Sequence, residues 1–164
     1  MSKLFNLYLG KGGEFSVVSE FLARGWNVAL PLVDVGDDLF VVEDKKGIFH
    51  RIQVKTAQAT LRKENYTAQF SVPLKQLLNF SEPDIYYIFT VRLNDTWEDK
   101  IIILREDLSL FYEDFKIGTV SDANLILYFA FEKGTVKCSK IDFTPFLNNY
   151  SDFPIILHEK EEKY

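Results

Sequence analysis

The chain has 164 residues and a mass of 19.1 kDa, which is the size of one ordinary domain. Its hydrophobic share of 47% and charged share of 26% are typical of a globular protein and argue against a disordered chain. With 24 acidic and 19 basic residues the net charge is -5, the wrong sign for a protein that coats nucleic acid nonspecifically. A local basic face is compatible with this charge.

Several classes of protein are excluded by what the sequence lacks. No apolar run approaches the ~20 residues of a membrane helix, and the first ten residues contain no secretory cleavage site. We therefore expect a soluble, cytoplasmic protein with no membrane partner. A single cysteine, Cys138, and two histidines, His50 and His158, exclude an intrachain disulfide and a cysteine/histidine metal site. We expect one domain over residues 1–157 and a frayed, charged tail over residues 158–164.

The first predicted element is an amphipathic helix over residues 12–24. Phe15, Val18 and Leu22 recur there with helical spacing, and Gly25 ends the helix. Residues 26–31 then alternate like a short strand that ends at Pro31.

The next segment predicts a β-hairpin over residues 38–55. Residues 38–43 are apolar on both strand faces, which is typical of a strand covered on both sides. Residues 44–47, Asp-Lys-Lys-Gly, have the composition of a turn, and residues 48–55 alternate again. Farther along, the pattern predicts strands over residues 65–72, 85–93, 100–104 and 125–131, and helical stretches over residues 73–79 and 105–112.

The hairpin brings polar side chains together. With the turn centred on Lys45 and Lys46, antiparallel pairing sets Asp38 opposite Gln53, and directly paired residues share a face. Lys55 lies two residues beyond Gln53 and so projects from the same face. Shifting the turn centre by one residue preserves this arrangement, whereas a three-residue loop would destroy it.

These side chains match the chemistry of a magnesium site. Magnesium prefers oxygen ligands and needs only one or two carboxylates from the protein. The Asp38 carboxylate, the Gln53 side-chain oxygen and the Val54 carbonyl could supply them, with the Lys55 ammonium offsetting charge during phosphodiester hydrolysis. The alternative, which stays open, is a solvated cross-strand pair of Asp38 and Lys55. Glu14 is likewise open to interpretation as an ordinary first-turn residue.

Basic residues concentrate on the hairpin and the segment that follows it. This cluster predicts a positive face that binds a nucleic-acid backbone. An equally supported interpretation is that these are ordinary solvent-exposed lysines that bind no ligand. The cluster comprises Lys45, Lys46, Arg51, Lys55, Arg62 and Lys63.

Four segments over residues 12–56, taken in their order along the chain, resemble the PD-(D/E)XK nuclease superfamily. The resemblance is in particular to its small Holliday-junction-resolvase-like and endonuclease-like members. The four segments are residues 13–18 (GEFSVV), 25–28 (GWNV), 38–42 (DLFVV) and 51–56 (RIQVKT). The resemblance implies an α/β, restriction-endonuclease-like three-layer core, with a mixed β-sheet flanked by helices. It also implies Mg²⁺-dependent cleavage of DNA, with Mn²⁺ as a substitute ion.

The resemblance also implies roles for individual residues. By position, Asp38 looks like the metal-binding aspartate, Lys55 like the catalytic lysine and Glu14 like the helix glutamate that supports the metal. Gln53 stands at the usual acidic position, so the site carries one negative charge fewer than the family pattern. The proline that normally precedes the aspartate is displaced to Pro31.

Three functions follow as hypotheses. The first is a metal-dependent endonuclease, for which a homodimer would arrange two strand cuts about a twofold axis. The second is a catalytically weak module of the same fold that binds DNA or a protein partner. The third is a structural protein in which Asp38 and Lys55 only tie the hairpin together.

Overall fold

The computed structural model describes residues 2–33 and 36–157, so the predicted charged tail over residues 158–164 lies outside the described residues. In chain order the elements are α1 Lys3–Ala23, β1 Asn27–Ala29, β2 Leu39–Glu43, β3 Ile48–Gln58, β4 Thr60–Arg62, β5 Asn65–Pro73, α2 Leu74–Leu78, β6 Ile85–Leu93, β7 Thr96–Leu104, α3 Arg105–Phe115, β8 Thr119–Ser121, β9 Asn124–Glu132, β10 Thr135–Cys138, β11 Ile141–Asp142 and a 3₁₀ helix at Thr144–Phe146.

A mixed five-stranded sheet forms the centre of the fold, in the order β1-β2-β3-β6-β7. Strands β2 and β3 pair as the predicted antiparallel hairpin, with Phe40 opposite Arg51 and Glu43 opposite Ile48. Strand β3 then pairs in parallel with β6, and β6 pairs antiparallel with β7. The parallel pair requires a crossover connection, which is supplied by the chain through β4, β5 and α2.

A second, antiparallel sheet follows the order β11-β10-β9-β5-β4, with β8 also paired to β9. The sequence predicted only β5 and β9 of this sheet, because β4, β8, β10 and β11 are too short for their alternation to stand out. Burial alternates along β5 and β9, so one face of this sheet packs on the core and the other faces solvent.

The two faces of the central sheet have different coverings. Helix α1 packs on one face, where Val17 and Phe21 meet Val54. The second sheet and helices α2 and α3 cover the other face, where Phe89 packs edge-on against Phe70. The predicted three-layer α/β core, with a mixed sheet flanked by helices, is confirmed, and the second sheet shares one outer layer with α2 and α3.

Helix α1 is longer than predicted and begins at Lys3. Ser2 caps its start, since the Ser2 Oγ accepts a hydrogen bond from the Phe5 N–H at 3.2 Å. Gly10, Gly12 and Gly13 lie inside the helix. Gly13 is required there, because a Cβ at this position would lie 2.0 Å from Thr56 Oγ1 on β3. No helix in the described residues combines the length and apolar character needed to span a bilayer.

Candidate active site

A cleft of about 480 Å³ opens where the end of the β2–β3 hairpin meets α2. Its wall contains the three strand residues that the sequence singled out together with residues from α2. The residues that matter most for its chemistry are Asp38, Arg51, Gln53, Lys55, Lys75 and Gln76.

Asp38 is held in position by the backbone of both hairpin strands. Its N–H donates to the Ile52 carbonyl at 2.9 Å, which continues the strand ladder by one residue. Its Oδ2 accepts a hydrogen bond from the Val54 N–H at 2.7 Å and another from the Gln53 Nε2. The carboxylate therefore has a fixed orientation at the floor of the cleft.

Gln53 is the most buried polar side chain of the cleft and connects β3 to α2. Its Oε1 accepts a hydrogen bond from Gln76 Nε2 at 2.9 Å, and the same nitrogen donates to the Gly36 carbonyl at 2.6 Å. The Gln53 Nε2 also lies 3.5 Å from the Val54 carbonyl oxygen. These side-chain amide hydrogen bonds link the hairpin to α2.

Two lysines face the same cleft from different elements. Lys55 is half-buried on β3, and Lys75 comes from α2.

Tyr87 is the partner of Gln53 in the β3–β6 register and lies in the core. Its hydroxyl has no hydrogen-bond partner among the described residues, and burial raises its pKa, so the phenol stays neutral.

The structure brings together Asp38, Gln53 and Lys55 but does not add Glu14 to them. Helix α1 packs on the face of the sheet where Thr56 lies against Gly13, and the cleft residues of β3 project from the opposite face. Glu14 lies in the α1 layer with its carboxylate 2.5 Å from Lys11 Nζ, and it is not among the described residues that line the cleft. The expectation that Glu14 supports the metal is not reproduced in this geometry.

The predicted basic cluster does not form one surface. Lys45 and Lys46 lie in the exposed turn before β3, whereas Arg62 and Lys63 follow β3 in the chain. Because β3 contains 11 residues, the two groups are roughly 35 Å apart along the strand. Lys46 also forms an ion pair with Glu43 at 3.2 Å.

Arg51 has a different role from the one that the sequence suggested. Its guanidinium forms an ion pair with the buried Asp37, with Nη2 to Oδ2 at 3.0 Å and Nε to Oδ1 at 3.1 Å. It also donates to the Pro83 carbonyl at 3.2 Å. This charge is largely balanced within the fold, and a contact of Arg51 with DNA stays a prediction.

The possible metal ligands at the cleft fit a hard divalent cation that keeps several of its water ligands. They are the Asp38 carboxylate and the Gln53 amide oxygen, with the Val54 carbonyl oxygen 3.5 Å from the Gln53 Nε2. Mg²⁺ prefers oxygen ligands of these types. In the present arrangement the Gln53 amide turns its nitrogen toward Asp38, so it would have to rotate by half a turn to offer its oxygen. Among the described residues no group of three or more His, Cys, Asp or Glu side chains is arranged as a metal site.

Sequence reasoning missed Gln76 and Lys75. The predicted helical stretch over residues 73–79 contained them, but nothing in the local pattern showed that this stretch packs beside the hairpin. The only signal available was the pair Lys75 and Gln76 in a short helix directly after a strand.

Comparison with known proteins relates the chain to a nuclease family and to solved structures. Residues 7–79 match the family model described as PD-(D/E)XK endonuclease, a segment that runs from α1 through the cleft residues of α2. The solved structure of a bacterial homing endonuclease matches with a TM-score of 0.42 and 21% identity over 60% of this chain. The match covers 64% of that chain, which is less than two thirds of its length. No curated protein matches the sequence.

Proposed function

We propose that this chain, whose residues 7–79 match the PD-(D/E)XK endonuclease family model, is a metal-dependent endonuclease that hydrolyses DNA phosphodiester bonds. The observation that supports the proposal best is the shared cleft of Asp38, Gln53 and Lys55 inside the matched segment. A carboxylate, a neutral oxygen donor and an ammonium around one cleft are the groups that such hydrolysis requires.

Asp38 would hold the divalent cation, together with the Gln53 side-chain oxygen and the Val54 carbonyl. The Val54 N–H restrains the Asp38 carboxylate, so little reorganisation is needed on that side of the cleft. A bound Mg²⁺, or Mn²⁺ in its place, would polarise a phosphoryl oxygen and acidify the attacking water. Glu14 has no part in this arrangement because it lies in the α1 layer.

Lys55 would donate hydrogen bonds to the phosphate oxygen or to the attacking water and offset the negative charge that develops during attack. Positioned groups of this kind contribute ~10²-fold or more to a rate. Lys75, on the α2 wall, would contact a neighbouring phosphate of the substrate. Lys45 and Lys46 at the hairpin turn, and Arg62 and Lys63 beyond β3, would meet the DNA backbone farther from the cut.

The test is a cleavage assay on plasmid, branched and single-stranded DNA, with Mg²⁺, Mn²⁺ or EDTA. We expect cleavage that EDTA abolishes, and a loss of ~10²-fold or more in Lys55→Ala and Asp38→Asn with retained folding. Lys133→Ala removes the same charge from the exposed turn after β9 and should cut normally. Unimpaired cleavage by Lys55→Ala, or equal loss in Lys133→Ala, would contradict the proposed roles.

A second candidate is a catalytically weak module of the same fold that binds DNA. The observation that favours it is the Gln53 amide, which now donates to Asp38 and adds no negative charge to the cleft. In that case the assay would show salt-sensitive DNA binding without metal-dependent cleavage for the wild-type chain.

A further inference from the structure

Two cavities that the proposed mechanism does not use lie side by side on the surface of the protein. The first, of about 410 Å³, opens between α1 and the β6–β7 hairpin. The second, of about 460 Å³, opens between α1, the end of β3 and the second sheet. Leu9 and Gln58 line both cavities, so the two form one groove, which we call the α1 groove. A cavity of this size takes a ligand about as large as one nucleotide.

Aromatic side chains give the first cavity flat, exposed surfaces. Phe5 and Tyr8 line it from α1 and keep 45% and 73% of their surface accessible. They are three residues apart, so their rings lie on the same side of the helix. Unpaired bases stack on exposed aromatic rings, whereas the bases of a duplex are already stacked on one another. The rings of this cavity therefore favour an unpaired strand.

Arg92 places a positive charge in the same cavity. Its guanidinium carbon lies 5.0 Å from the centroid of the Trp97 ring, which belongs to its cross-strand partner. Trp97 in turn packs against α1, because a Cβ added at Gly12 would lie 3.2 Å from the Trp97 ring. The ring that supports Arg92 is thus held in place, and the guanidinium is positioned for a phosphate. Asp95 is the one acidic residue among the described residues that line this cavity.

The second cavity is polar, and the described residues that line it include no acidic side chain. Tyr128 lines it from β9, and the hydroxyls of Tyr128 and Thr67 are 3.0 Å apart. The hydrogen bond with Thr67 and the neighbouring Arg62 guanidinium lower the pKa of Tyr128, so a second positive charge lies beside the groove. In a chain with a net charge of -5, this local excess of guanidinium groups suits a nucleic-acid backbone.

Strand β5 connects the groove to the cleft. Thr67 lines the groove and Pro73 lines the cleft, and these two residues are about 20 Å apart along the strand. At ~3.4 Å per nucleotide, about six nucleotides of one DNA strand cover this distance. The groove and the cleft can therefore hold two parts of the same DNA molecule.

We propose that the α1 groove binds a single-stranded segment of DNA, with a base stacked on Tyr8, a phosphate bound by Arg92 and the strand continuing past Tyr128. The substrate of the cleft is then a DNA molecule that carries an unpaired strand close to the cut. This inference rests on the proposed nuclease function, since it takes DNA as the ligand. The binding itself requires neither the metal nor cleavage.

The first experiment measures binding of the full chain to a labelled oligothymidine of about 12 nucleotides by fluorescence anisotropy in EDTA. We expect tighter binding of this strand than of a duplex of the same length, and ~10-fold weaker binding by Tyr8→Ala. Arg92→Ala should reduce the slope of log affinity against log salt concentration by about 0.7. Phe115→Ala removes an exposed ring from α3 and should bind as the wild type does. Tighter binding of the duplex, or unchanged affinity in Tyr8→Ala, would overturn the proposal.

The second experiment uses the two tryptophans of the chain to locate the bound strand. Trp97 lines the groove, whereas Trp26 is buried and donates its Nε1–H to the Pro154 carbonyl at 2.8 Å. Saturating oligothymidine should quench the tryptophan emission of the wild type, and Trp97→Phe should remove this quenching. Wild-type emission that stays unchanged, or quenching that persists in Trp97→Phe, would refute binding in the α1 groove.

These measurements separate the groove from the nuclease function. A chain that binds the single strand in EDTA but cuts no DNA with Mg²⁺ would refute the nuclease function and leave the groove supported. A chain that cuts DNA but binds the single strand no more tightly than the duplex would refute the groove and leave the nuclease function supported.

Discussion

Replacing Gln53 by Glu changes the cleft by one charge at almost constant shape. Gln53 is buried, donates its amide to Asp38 and accepts from Gln76 at 2.9 Å. An ionised glutamate side chain accepts hydrogen bonds but donates none, so Gln53→Glu removes the hydrogen bond to Asp38 and sets two carboxylates in contact.

The size of the effect follows from this geometry. Two carboxylates about 4 Å apart repel by roughly 4 kcal/mol at an effective dielectric constant of about 20. Loss of the charge-assisted hydrogen bond adds about 2 kcal/mol. Protonation of one carboxyl limits the penalty, so we expect about 3 kcal/mol at about pH 8 and less at about pH 5. For a chain of 164 residues this lowers Tm by about 6 to 12 °C.

Magnesium should offset most of this penalty. A second carboxylate converts the repulsive pair into a stronger oxygen site, and Mg²⁺ at about 100 times its Kd stabilises the folded state by about 2.7 kcal/mol. Thermal unfolding with and without Mg²⁺ should therefore show a larger rise in Tm for Gln53→Glu than for wild type. Adding Asp38→Asn to this variant should abolish the rise.

Gln69→Glu is the matched control, since it adds the same charge at an exposed position of β5. It should respond to Mg²⁺ as the wild type does. If Gln53→Glu shows no decrease in Tm without metal, or gains no more from Mg²⁺ than Gln69→Glu, then the reasoning about the cleft is refuted.

Two further predictions concern residues outside the cleft. Glu14→Gln should reduce cleavage by much less than the ~10²-fold expected of a catalytic group, because Glu14 pairs with Lys11 in the α1 layer; a loss as large as that of Lys55→Ala in the same assay would contradict this placement. Burial lowers the pKa of His50, with a smaller opposing effect from Asp152, so the unfolded chain binds more protons and stability falls as pH drops below the unfolded value of ~6.5. His50→Gln should flatten the change of Tm between about pH 5 and 7, and an unchanged slope in thermal unfolding would count against it.

The hairpin shows what can be predicted from local sequence patterns. The Asp-Lys-Lys-Gly turn and the alternation on either side of it predicted the register of Phe40 opposite Arg51, and the structure confirms it. Strand β6 likewise has the predicted bounds of Ile85–Leu93. Both depend on interactions between residues close in sequence, so a few neighbouring side chains were sufficient evidence.

The features that the sequence did not predict have a common physical cause. The parallel β3–β6 pair, the second sheet and the contact of Gln76 with Gln53 all join segments separated by long stretches of chain. The ion pair of Arg51 with Asp37 depends on how the chain before β2 folds back onto the hairpin. Alternation along one strand carries no information about which distant segment covers it.

Local patterns were sufficient to predict the mixture of helices and strands, the hairpin and the shared face of Asp38, Gln53 and Lys55, because strand period and turn composition are local properties. Long-range packing places α2 over the cleft beside these side chains and α1 on the other face of the sheet, and no local pattern predicted either position. Which layer a helix joins depends on burying its apolar side together with surfaces far away in the chain, and that choice belongs to the packed molecule.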